Sequence, residues 1–113
     1  MVKNMENATD YCIIFVTADS YENALQISRI LVSEKLAACC SIVNNITSIY
    51  EWEGSIAQTQ EFMLLIKSHK NKLDNLESRI TELHNYDTPE IISVSLHSAS
   101  RKYLDWMNSI LNN

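Results

Sequence analysis

Residues 39–67 read CCSIVNNITSIYEWEGSIAQTQEFMLLIK, and the fold turns on this stretch. Ile, Val, Thr and Tyr dominate its first half, Cys39 to Trp52, and such side chains suit a pleated backbone better than a helix. Glu53-Gly54 then supplies a turn signal, and Glu61 to Lys67 returns as a second apolar run, so the stretch predicts a β-hairpin. Asn44-Asn45 interrupts the apolar pattern of the outgoing strand and predicts a bulge or bend there. These two strands are longer than any other strand-like run. The hairpin is therefore expected to project past the helix-covered part of the sheet, carrying Ile49, Tyr50, Trp52 and Ile56. Apolar side chains on unpaired edges promote association, and identical copies are the simplest cover, which predicts a homo-oligomer.

Working outward, Tyr11 to Thr17 (YCIIFVT) has the β-branched and aromatic character of a strand buried on both faces. Asp19-Ser20-Tyr21-Glu22 predicts an acidic N-cap at Asp19 with Glu22 three positions on. Ala24, Ile27, Ile30 and Leu31 form the apolar stripe of the helix that follows, ending near Lys35. Beyond the hairpin, Leu73, Leu76, Ile80 and Leu83 space a second helix, with Asn85 expected as a left-handed cap and Pro89 forbidding continuation. Ile92, Val94 and Leu96 alternate with Ser93 and Ser95, as in a strand with one wet face. A third helix carries Tyr103, Leu104, Met107, Ile110 and Leu111. The order is that of an α+β, ferredoxin-like βαββαβ fold, with an extended hairpin between its second and third strands and an added C-terminal helix. Residues 1–10 are polar and lack the apolar core of a secretory signal, so they are expected to be a disordered lead-in to a single domain spanning residues 11–113.

Composition narrows the function classes. The chain has 113 residues, 46% hydrophobic and 20% charged, enough for a core without metal or disulfide staples. A formal net charge of −5 argues against nucleic-acid partners, and no apolar run is long enough to span a membrane. Three cysteines, Cys12, Cys39 and Cys40, are an odd number that favours free thiols and the cytoplasm. One glycine and one proline, Gly54 and Pro89, leave no way to build a phosphate-cradling glycine loop.

The chemistry that this fold hosts elsewhere finds little here. The third strand offers only Phe62 for stacking RNA bases, Thr17-Ala18-Asp19-Ser20 stands where a metal-delivering C-x-x-C would sit, and Arg29, Arg79 and Arg101 fall on helices. Cys39 and Cys40, adjacent on a strand, point to opposite faces and cannot share an ion. No two of His69, His84 and His97 have helical zinc-site spacing. His84 differs from the other two in sitting beside Tyr86, Asp87 and Glu90 in a loop, where functional groups concentrate. Tyr50 and Trp52, two apart, share a strand face and suit either subunit packing or a pocket wall. No set of acid, base and nucleophile is visible, so no enzyme is expected.

Five stretches stand in one unbroken order: Leu36-Ala37-Ala38-Cys39, residues 48–54 (SIYEWEG), Glu61 with Leu65-Ile66-Lys67, residues 83–90 (LHNYDTPE) and Tyr103-Leu104-Asp105-Trp106. In these the chain resembles the CutA family of divalent-cation tolerance proteins. The resemblance runs in register from about Tyr11 to Leu111. It implies a homotrimer whose hairpins pair between neighbours, related in architecture to PII signalling trimers, and a cytoplasmic protein of metal tolerance with no enzymatic activity. No cofactor is required by it; copper or another divalent cation is the implied ion. The copper position of the family falls here on Val16, Leu83 and His84, which leaves His84 as the metal donor. The resemblance also implies a cleft between subunits lined by Tyr50, Trp52, Lys67, Tyr86 and Glu90. The alternative function in another class is a PII-like signalling or scaffolding trimer that binds a protein or small-molecule partner in that cleft.

Overall fold

A computed structural model of the chain describes residues 5–112. Six strands and three helices follow in order: β1 (Met5–Asn7), β2 (Tyr11–Ala18), α1 (Tyr21–Ser33), β3 (Cys39–Trp52), β4 (Ser55–His69), a 3₁₀ turn (Lys70–Lys72), α2 (Leu73–Leu83), β5 (Ile91–Ser95), β6 (Ser98–Ser100) and α3 (Arg101–Leu111). The main sheet runs β3-β4-β2-β5, antiparallel throughout, which is the ferredoxin-like order expected from the sequence.

One sheet face meets α1 and α2. Ile14 and Val16 of β2 and Leu64 and Ile66 of β4 pack there on Ala24, Ile27 and Leu31 of α1 and on Leu76 and Ile80 of α2. The two apolar stripes expected on these helices are the ones that enter this core, Ile30 excepted. The helix α1 starts one residue later than expected: its cap is Ser20, whose side chain accepts the Asn23 N–H at 3.1 Å. The exit of α2 also differs. His84 is extended (φ −76°, ψ 145°) and Asn85 is not left-handed; its amide reaches Asp19 Oδ1 at 2.8 Å instead.

The opposite face is open except at one end, where α3 lies. Met107 and Leu111 pack there with Ala38 and Tyr11. Registry puts Ile13 and Phe15 of β2 on this open face, beside Leu65 and Lys67 of β4 and Ile92 and Val94 of β5. The apolar row of β5 thus faces away from α1 and α2, while Ser93 and Ser95 align with Ile14 and Cys12 on the helix side. Alternation shows which residues share a face, not which face is covered.

The hairpin forms as predicted, and its return strand is longer than expected, beginning at Ser55. Glu53 and Gly54, with φ of 51° and 82°, close a two-residue turn between the paired Trp52 and Ser55. The bulge also lies where Asn44-Asn45 predicts it. Pairing jumps from Val43↔Met63 to Ile46↔Glu61, and Asn45 is left-handed (φ 60°). The extra residue reverses parity. Cys39, Ser41 and Val43 share a face with Lys67, Leu65 and Met63; beyond the bulge the even-numbered Ile46, Ser48, Tyr50 and Trp52 take over that face beside Glu61. The arm stretches the molecule to 54 × 30 × 22 Å.

Residues 5–10, expected within a disordered lead-in, are ordered: Met5–Asn7 pairs antiparallel with Ser98–Ser100. Three exposed residues, Met5, Glu6 and Asn7, are too few to show a hydrophobic period. The remainder of the expected lead-in, residues 1–4, lies outside the described residues.

Candidate functional site

The loop 84–90 between α2 and β5 is held from beneath by its own histidine. His84 is 9% exposed. Its Nδ1 accepts the N–H of Tyr86 at 3.0 Å, so the ring proton of the neutral imidazole is on Nε2, which faces the Thr17 carbonyl oxygen at 2.7 Å. Both ring nitrogens are thus engaged by backbone, one from the loop and one from the end of β2. The metal donor expected at His84 has no free lone pair to offer. The other two copper positions fit no better, since Val16 is fully buried in the core and Leu83 is aliphatic. Among the described residues no three of His, Cys, Asp and Glu converge well enough to hold an ion. The chain therefore does not reproduce the copper position that the resemblance implies.

Anchoring His84 sends Tyr86 across to the hairpin. Its hydroxyl donates to Glu61 Oε2 at 3.0 Å, and burial together with that carboxylate pushes the phenol well above its ordinary pKa. Glu61 is 6% exposed, as is Thr17 nearby. Over this pair the loop and the arm enclose a cleft of about 700 Å³, the size range of small-ligand sites. The arm contributes Ser48, Tyr50 and Trp52 to its walls, and the loop contributes Tyr86, Asp87 and Glu90. The bulge is what makes this possible. Without the parity change, Tyr50 and Trp52 would leave the face that carries Glu61.

Four of the expected cleft residues, Tyr50, Trp52, Tyr86 and Glu90, come together within one subunit. Lys67 does not. It shares a strand with Glu61 but stands six residues away, about 20 Å at the usual strand rise. Its ammonium donates to Ser41 Oγ at 2.7 Å and to the Leu65 carbonyl at 3.3 Å, beside Cys39 Sγ at 3.7 Å. The cleft of the single subunit consequently has three acidic side chains in its lining, Glu61, Asp87 and Glu90, and no basic one. Glu61 is the principal residue that the sequence did not assign to it. The available signal was a lone charge heading the apolar run FMLLI.

Comparison with known proteins agrees with this architecture. The family of the CutA1 divalent ion tolerance protein matches residues 12–110. A divalent-cation tolerance protein CutA from Thermus thermophilus is 40% identical over 95 residues, 84% of this chain and 92% of the relative. The chloroplastic CutA of Arabidopsis thaliana is 37% identical over 101 residues, 89% of this chain but 56% of that longer relative. The solved structure of CutA from Synechococcus elongatus superimposes with a TM-score of 0.91 at 31% identity, covering 95% of each chain.

Proposed function

The chain belongs to the CutA1 divalent ion tolerance family, and from that membership we propose that it works as a non-catalytic homotrimer in the response to divalent metal ions. The observation that carries the assembly is the uncovered apolar surface. Ile92 and Val94 on the open sheet face are 52% and 49% exposed, and Ile56 on the arm is 75% exposed. Exposed apolar side chains on both the sheet face and the arm call for cover, and a copy of the same chain is the simplest cover. Copper and other divalent cations interact weakly, through the carboxylates of a chain with net charge −5, without chelation by His84. A cytoplasmic location fits the free thiols of Cys12, Cys39 and Cys40. No helix among the described residues is long and apolar enough to cross a membrane.

A second reading is favoured by the cleft itself. Its volume and aromatic walls suit a small ligand, as in a PII-like trimer that reports a bound molecule to a partner. In that reading the cleft lies at the boundary between subunits, while Lys67 stays bonded to Ser41 of its own subunit.

The test is the pair Ile92→Asp and Val94→Asp examined by analytical ultracentrifugation. Both side chains are half exposed in the lone subunit, so the fold should survive while the trimer falls to monomer. Wild type that sediments as a monomer at micromolar concentration would remove the proposal.

A further inference from the structure

We infer that the cleft between the loop 84–90 and the hairpin arm binds an aliphatic organic ammonium ion, a diamine in its simplest form, rather than a bare metal ion. The inference rests on the reading of this cleft as a ligand site and specifies the class of ligand. It starts from Glu61. This carboxylate is 6% exposed, yet among the described residues no lysine, arginine or histidine reaches it, and its only hydrogen-bond donor there is the Tyr86 hydroxyl on Oε2. Oε1 accepts no hydrogen bond from any described residue, and the side chain lines the cleft. A buried carboxylate with one neutral donor is poorly compensated, and a cationic donor arriving through the cleft would correct that.

Three features choose an organic cation. First, the carboxylates are spread from floor to rim: Glu61 is buried, whereas Asp87 and Glu90 are exposed, and they do not converge on a single point as an ion would need. Separate positive groups joined by a carbon chain match that spread. Second, about 700 Å³ is far more space than one ion fills. Third, Tyr50 and Trp52 supply aromatic faces beside the acids, and these attract ammonium groups and cover methylenes equally well. An anionic ligand such as a nucleotide would meet three carboxylates and no cation in this lining.

The test is calorimetric titration of the purified full-length protein with 1,4-diaminobutane, with magnesium chloride, copper chloride and ADP as separate counter-probes. Saturable binding at one diamine per subunit is expected. It should weaken at least tenfold in Glu61→Gln, which keeps an acceptor for Tyr86, and in Trp52→Ala, which changes no charge. Glu22→Gln, which removes the same charge from the exposed start of α1, should bind like wild type. Absence of saturable diamine heat in wild type overturns the inference, as does equal weakening by Glu61→Gln and Glu22→Gln. Displacement of the diamine by stoichiometric magnesium or copper overturns it too. Sedimentation of the same samples separates the failures: a trimer that ignores the diamine refutes only the ligand class, whereas a monomer refutes the proposed assembly.

Discussion

The imidazole of His84 and the carbonyl of Thr17 meet at 2.7 Å, joining the first residue after α2 to the end of β2 across 67 positions of sequence. With Nδ1 occupied by the Tyr86 amide, this ring is a bracket between sheet and loop. It sets the level at which Tyr86 crosses to Glu61.

His84→Ala should therefore act on stability. It strands a buried carbonyl and a loop amide, with an expected loss of about 2 to 4 kcal/mol in urea denaturation. Copper titration of this variant should match wild type. A variant that stays as stable as wild type but loses copper binding would return His84 to the role of metal donor.

The bulge gives a backbone prediction. Asn45 sits at φ 60°, a region that asparagine tolerates and β-branched residues do not. Asn45→Val should cost about 1 to 2 kcal/mol, whereas Asn45→Gly should stay within a few tenths. Equal stability of the two variants would mean that the left-handed conformation is not required.

Alkaline pH tests the packing of Cys40. Burial under α1 pushes its thiol up from 9.0 to about 11. The unfolded chain releases this proton at lower pH than the folded one does. The stabilisation is thus complete below about pH 9 and declines toward pH 11, by about 1.4 kcal/mol per unit at most. Cys40→Ala should flatten this part of the pH profile, read as urea midpoints at about pH 8 and about pH 10.5. A wild-type profile no steeper than that of the variant would contradict the burial effect.

Much of this was legible in the chain, for identifiable reasons. The hairpin announces itself because Glu53-Gly54 carries turn chemistry between two β-rich runs, and the Asn44-Asn45 break marks the bulge by residue type alone. The strand at Met5–Asn7 was hidden because its partner, Ser98–Ser100, is as polar and short as itself. The cap of α1 slipped by one residue since Asp19 and Ser20 are both good caps. In the cleft, Tyr50, Trp52, Tyr86 and Glu90 stood out by type. Glu61 did not, because its partner Tyr86 lies 25 residues away and only folding brings them together. His84 illustrates the converse. Imidazole chemistry is visible in a sequence, whereas the two backbone groups that consume it are not.

The arm beyond the bulge has one more implication. A pair of strands on its own is barely stable in water, and here the pair reaches past the helices that support the rest of its sheet. In the proposed trimer the body would appear by a first-order event and the arm would set only after collision. Dilution should then slow one kinetic phase and leave the other unchanged, so that the concentration of the chain becomes part of its own folding mechanism.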